Sequence, residues 1–287
     1  MHSDSYFAMG KAHTVCEDYA RDGVIPYTAD RVFAIVSDGC SSSQDTDFGS
    51  RFLTMAALPV LSTWDGVDPE GLLHPTIERA REAALNLGLP TGGLDATLLV
   101  AHETKNHMIN VVAAGDGWVL AQRWDGILES WEISMQGAPG YYSYRLDYKR
   151  FHDYLTLGYG ERTVTHRVNG EIQSVIKTLM AVPTERAYEP RELAFMKVFS
   201  PETYRMVMVL SDGVQSFRNS ETKQDIPLAE VLPHVVDIRN PTGAFLRRSH
   251  NWFLTKTCPK LGWQHTDDFG AAAIIVDPPV EKEEEPS

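Results

Sequence analysis

Two stretches of this sequence, VFAIVSDG (32–39) and VMVLSDG (207–213), read alike: an apolar, β-branched-rich run that ends in Ser-Asp-Gly. Continuous apolar runs of this length, closed by a turn signal, predict buried strands. A carboxylate at the end of such a strand leaves the core yet stays rigidly held, and the glycine after it lets the backbone turn and expose its carbonyl. Asp38, the Gly39 carbonyl and Asp212 are therefore candidate metal ligands. Asp-Gly is also the commonest turn dipeptide, and Asp22-Gly23, Asp65-Gly66 and Asp125-Gly126 are read as turns only.

Further acidic residues fit the same pattern. Thr266-Asp267-Asp268 stands immediately before another apolar run, GAAAIIV (270–276). In an antiparallel sheet the start of one strand lies beside the end of its neighbour, so Asp267 can reach the rim that carries Asp38 and Asp212. Cys16-Glu17-Asp18 precedes the first strong strand. Carboxylates crowded at one place repel one another unless protons or divalent cations neutralise them. An all-oxygen ligand set favours magnesium, manganese or calcium over zinc.

The remaining pattern predicts an α+β fold. Strands are expected at 31–37, 96–101, 109–114, 118–123, 206–211 and 270–276, and helices at 48–61 and 69–87. Thr46 or Asp47 is expected to cap the first helix and Gly88 to end the second. Gly115-Asp116-Gly117 reads as the turn of a hairpin joining 109–114 to 118–123. Helices fall between strands without a regular βαβ rhythm, which favours antiparallel sheets over a doubly wound parallel one. Residues 135–192 are rich in Tyr and Gly and are expected to form a surface flap. The whole is expected to be a single domain over 1–277, followed by an acidic tail, PPVEKEEEPS (278–287), read as disordered.

Bulk properties narrow the function. Among 287 residues, 39 Asp and Glu against 26 Lys and Arg give a net charge of -13, which repels nucleic-acid phosphates and anionic lipid. Such a chain handles phosphorylated substrates only with local cations. Three cysteines, Cys16, Cys40 and Cys258, follow no zinc or disulfide spacing and fit a reducing cytoplasm. No stretch reaches the length of a membrane span. The segment GYYSYRLDYKRFHDY (140–154) interleaves aromatic residues with Arg145, Lys149, Arg150 and His152; stacking on single-stranded nucleic acid is one reading, a packed loop with solvated charges the preferred one.

The ordered set Glu17-Asp18, VSDG, Asp95-Ala96-Thr97, Gly115-Asp116-Gly117, LSDGV and Asp267-Asp268 resembles the motifs of the PP2C family of metal-dependent serine/threonine protein phosphatases, over about residues 10 to 276. The resemblance implies a layered β-sandwich of antiparallel sheets flanked by α-helices, with a flap insertion. It implies two manganese or magnesium ions, with Asp38 bridging, the Gly39 carbonyl on one ion, and Asp212 and Asp267 on the other. Glu17 and Asp18 would hold metal-bound waters, and Asp116 would help Asp212 hold a third ion. It implies hydrolysis of phosphoserine or phosphothreonine in a phosphorylated protein by a metal-bridging hydroxide, in a monomer with no nucleic-acid or membrane partner.

Two departures stand out. His13 occupies the position of the family's phosphate-binding arginine, and when protonated it could take that role. Cys40-Ser41-Ser42-Ser43 follows Asp-Gly where many members have His or Met and glycines, so a histidine acid is absent there. Asp38, Asp18 and His13 are the candidate catalytic residues. The alternative reading is a weak or inactive module that binds phosphoproteins or a regulatory partner.

Overall fold

A strand buried on both faces needs apolar residues at every position, whereas one with a solvated face alternates. The run at 32–37 is of the first kind, and in the computed structural model, described for residues 1–179 and 194–278, all six residues of β3 (Val32–Ser37) are buried. Its side chains divide by parity. Ala34 and Val36 face a second sheet, while Phe33 and Ile35 face helices.

β3 belongs to a five-stranded sheet with β2 (Tyr19–Val24), β4 (Leu98–Glu103), β5 (Ile109–Ala114) and β10 (Ala194–Phe199), in the order β10-β5-β4-β3-β2. The second sheet has seven strands: β1 (His2–Ala8), β6 (Gly117–Arg123), β7 (Leu128–Met135), β8 (Glu161–Val168), β9 (Glu171–Leu179), β11 (Tyr204–Leu210) and β14 (Phe269–Ile275), in the order β1-β14-β11-β6-β7-β8-β9. Their pairings are antiparallel. Val36, Leu99, Val111, Val119, Val207, Val209 and Ile274 fill the space between the sheets.

The outer faces carry helices. α1 (Thr46–Thr63) and α2 (Pro69–Asn86) cover the five-stranded sheet, with Leu53, Leu61, Leu72 and Ile77 packed on Ile35, Val100 and Val112. α4 (Leu228–Val235) and α5 (Phe245–Trp252) cover the seven-stranded sheet, where Val231, Phe245 and Leu246 meet Met208, Leu210 and Ala273. The result is an α+β sandwich of antiparallel sheets between helical layers. A short α6 (Cys258–Leu261) precedes β13 (Trp263–His265), which pairs with β12 (Phe217–Asn219) apart from the main sheets. Among the described residues no helix is long and apolar enough to cross a membrane.

Four local expectations are corrected. β5 and β6 do not form a hairpin: Gly115-Asp116-Gly117 carries the chain from one sheet to the other, because each strand is paired on both edges within its own sheet. Gly115 and Gly117, at φ 92° and 139°, supply that crossing. Asp22-Gly23 lies inside β2 rather than at a turn, Asp22 accepting a hydrogen bond from Ser5 at 2.7 Å. Neither Thr46 nor Asp47 caps α1. Its N-cap is Asp45, in the left-handed region and without a side-chain bond, because the Thr46 hydroxyl is spent on Glu17 and Asp47 pairs with Arg51.

The fourth concerns the expected flap. Tyr142, Phe151, Tyr154 and Leu155 are buried in the core under α1 and α2, around a 3-10 turn (Tyr142–Leu146) and α3 (Tyr148–Thr156). Residues 161–179 extend the seven-stranded sheet as β8 and β9. Its charges are not simply solvated: Arg145 pairs with Glu70, and Arg150 with Asp95. Residues 180–193 of that interval and 279–287 of the tail lie outside the described residues.

Phe269, fully buried at the start of β14 against Phe217 and His250, holds the strand that carries Asp267. Phe269→Ala is expected to cost about 3–5 kcal/mol of unfolding free energy, read by urea denaturation.

Candidate metal centre

Each acidic candidate is delivered by a backbone element that leaves it little freedom. The Asp38 N–H donates to Thr97 Oγ1 at 3.0 Å, Thr97 N–H to the Asp38 carbonyl at 2.8 Å, and Ser37 Oγ to the Thr97 carbonyl at 2.5 Å. A bridge between Gly39 and Ala96 continues this pairing past the end of β3. Gly39 is required there: a Cβ would lie 2.7 Å from the Thr46 carbonyl oxygen. Gly213 is tighter still, since a Cβ would fall 1.6 Å from the Asp268 carbonyl oxygen. Both Ser-Asp-Gly glycines thus mark close backbone approaches beneath the acidic rim.

Asp38 is central. Its carboxyl lies within electrostatic reach of Asp18, Asp212 and Asp116, whose charges raise it. Asp18 is fully buried, and its Oδ2 accepts from Ser211 Oγ at 2.6 Å, while Ser211 Oγ accepts from Gly270 N–H at 2.9 Å. Asp116 lies close enough to raise Asp38, Asp212 to raise Asp116, and Asp267 to raise Asp212. Asp38, Asp18, Asp212, Asp116 and Asp267 therefore share one rim, as their places at strand ends require.

Glu17 and Asp268 adjoin this group. Asp268 is buried and accepts backbone N–H bonds from Gly10 at 2.8 Å and Glu17 at 2.6 Å, which ties the N-terminal segment to the start of β14. Glu17 accepts from Thr46 Oγ1 at 3.0 Å. His13, Glu17 and Asp268 bring ligand atoms within 4.8 Å of one another. His13 Nε2 lies 2.9 Å from Asp267 Oδ1, and Nδ1 lies 3.5 Å from both Glu17 Oε2 and Asp268 Oδ2. Both ring nitrogens thus face carboxylates, a different setting from the open phosphate contact expected of this position.

Electrostatics carry the mark of this crowding. Burial, then the neighbouring charges of Asp268 and Asp212, raises Asp18 to about 8 despite its bond to Ser211. Burial and Asp212 raise Asp116 to about 7. Asp38 is raised well above the ordinary carboxylate range by burial, then by Asp18, Asp212 and Asp116; Asp212 is raised by burial and by Asp267. Divalent cations fit this donor set. Asp18 Oδ1 is buried without a hydrogen-bond partner, the ligands are all oxygens, and a bound cation can replace the protons that otherwise neutralise the crowded carboxyls.

Sequence reasoning passed over Asp268, Ser211, Thr97 and Asp95 as parts of the site. Asp95, 1 % exposed, accepts from Ser43 Oγ at 3.1 Å and Ser143 Oγ at 2.6 Å and pairs with Arg150, while its carbonyl accepts from Cys40 N–H at 2.8 Å. The doubled Asp267-Asp268 and the Asp95-Ala96-Thr97 motif held that signal. A cleft of about 430 Å³ beside α5, floored by Phe245 and Phe253, is lined by none of these residues.

A profile of the protein phosphatase 2C family matches residues 10–244. The chain belongs to that family. The match stops before Asp267, which joins the site through the geometry of β14. Solved structures of similar fold include a bacterial serine phosphatase (10% identity, 96% of this chain and 98% of that chain, TM-score 0.54). Serine/threonine phosphatase Stp1 from Staphylococcus aureus is another (11%, 96% and 95%, TM-score 0.53). A C. elegans sex determining protein is a third (15%, 96% and 65%, TM-score 0.52). At these identities the likeness is one of fold. No curated protein matches the chain.

The raised carboxyls set a sign for pH dependence in this PP2C-family chain. A group whose folded pKa exceeds its unfolded value near 3.8 contributes stability that is complete below that value and lost as pH rises through the folded one, here about 7 to 8. The metal-free protein is expected to melt at lower temperature at pH 8.5 than at pH 6.5, by calorimetry. Saturating manganese is expected to remove the slope, and Asp18→Asn to reduce it.

Proposed function

We propose that the chain is a divalent-metal-dependent phosphoprotein phosphatase acting on phosphoserine or phosphothreonine. The observation that carries this reading is the meeting of Asp18, Asp38, Asp116, Asp212 and Asp267, from five separate segments, at one rim of a PP2C-family sandwich. Asp38, the Gly39 carbonyl, Asp212 and Asp267 would hold two manganese or magnesium ions. Glu17 and Asp18 would order their surroundings, and Asp116 would support a third. When bound, such ions supply Lewis acidity, a nucleophile at neutral pH and charge neutralisation for the phosphoryl oxygens.

The chain's own residues do the positioning. Thr97, just before β4, fixes the Asp38 backbone, so the Asp38 carboxylate is placed before any ligand arrives. Ser211 Oγ, itself oriented by Gly270 N–H, keeps the Asp18 Oδ2 edge turned away, leaving Oδ1 for the site. His13 steadies Asp267, the most exposed of the proposed ligands, whose side chain is 48% exposed. That role replaces direct phosphate binding as the favoured reading of His13, and it leaves phosphate capture to the cations. Preorganised charge of this kind lowers the barrier because it needs no rearrangement as the transition state forms.

Hydrolysis of a phosphothreonine peptide is expected only with manganese or magnesium, and Asp38→Ala or Asp212→Asn is expected to lower kcat/KM by about 100-fold or more. Metal-independent turnover, or turnover indifferent to both substitutions, contradicts the mechanism. No turnover at all, with metal and phosphopeptide still bound, favours the binding-module alternative.

A further inference from the structure

The mechanism makes no use of a set of contacts that joins residues 141–150 to the loop after Asp38. Arg150 forms a two-pronged pair with Asp95, and the Arg150 guanidinium also stacks 4.6 Å over the Tyr144 ring. Tyr144 meets Tyr141 edge to face at 5.6 Å. Tyr141 is buried within electrostatic reach of Cys40, Asp38 and Asp116, and the Cys40 thiol itself lies 3.1 Å from Ser42 Oγ. Cys40 N–H returns to the Asp95 carbonyl, and Ser43 and Ser143 bind the two Asp95 carboxylate oxygens from opposite sides. A buried carboxylate with four donors is costly to form and more costly to break, since removing one partner leaves an uncompensated charge.

Resting on the phosphatase reading, we propose that Asp95 and Arg150 are positioning residues: their clasp pins Tyr141 as a fixed wall beside the Asp38-Gly39-Cys40 turn, and the wall sets how tightly a phosphorylated side chain is seated. Arg150 is suited to the task because its planar fork matches the carboxylate while its face packs on Tyr144. The clasp joins the two parts that must stay in register, the turn bearing Asp38 and Gly39 and the aromatic segment beside it. Neither Asp95 nor Arg150 touches the reacting atoms in this account; both act through Tyr141 and Cys40.

The test uses the full chain and two readouts. The first is the rate of Cys40 alkylation by iodoacetamide, resolved by peptide mass mapping with Cys16 and Cys258 as internal references. In Arg150→Ala, Cys40 is expected to react about tenfold faster, the factor that about 1.4 kcal/mol of easier opening represents, with the references unchanged. Arg150→Lys, which keeps charge but not the fork, is expected to fall between. The second readout is the steady-state split on a phosphothreonine peptide: KM is expected to rise more than kcat falls. An unchanged Cys40 rate, a parallel rise at Cys16 and Cys258, or an unmoved KM in a variant whose Cys40 is freed overturns the proposal. The alkylation arm needs no turnover, so a chain that hydrolyses nothing defeats the phosphatase reading while the clasp is still judged.

Discussion

Mutual repulsion among carboxylates is the constraint on which this structure turns. Seven of them, Glu17, Asp18, Asp38, Asp116, Asp212, Asp267 and Asp268, gather at one rim, with His13 the imidazole set among them. Such a gathering is unfavourable in isolation, and without cations it persists only by holding protons at pH values where carboxyls are ordinarily ionised. A fold that spends stability in this way at one edge has a use for it. Under the proposed function, divalent cations would resolve the repulsion and at the same time supply what phosphoester hydrolysis needs.

The scaffold's part is to make the gathering unavoidable. β3 and β11 are buried on both faces, so their registers are fixed by packing, and their ends can only present Asp38 and Asp212. β14 runs between β1 and β11, placing Asp267 and Asp268 beside Asp212. Asp268 then draws in Gly10 and Glu17 through their N–H groups, and the N-terminal segment brings His13 with it. Close contacts at Gly39 and Gly213 leave no room for a side chain. Stability and site are therefore tied: the same strands form the sandwich core and aim the acids.

The central strands and the acids at their ends were legible in sequence because a doubly buried strand leaves an unbroken apolar run, and Ser-Asp-Gly recurs after two of them. What lay beyond pairwise patterns was not legible. Gly115-Asp116-Gly117 announces a sharp turn, but a turn within a sheet and a crossing between sheets use the same residues. Adjacent acids such as Asp267 and Asp268 look equivalent, yet one is half exposed beside His13 and the other is buried under two N–H donors. Thr46 looked like a helix cap because nothing in its neighbourhood names Glu17, 29 residues earlier, as its partner. The aromatic and basic segment at 140–154 reads as a packed loop, but its charges looked solvated because their partners, Glu70 and Asp95, are equally remote.

The central claim is convergence of remote carboxylates on divalent cations, and equilibrium dialysis of the purified chain against manganese measures it most directly. The account predicts more than one ion per chain at saturation and a loss of that stoichiometry in Asp38→Ala, which removes the carboxylate between Asp18 and Asp212. A wild-type chain that retains no manganese, or an Asp38→Ala chain that retains as much as wild type, would contradict it.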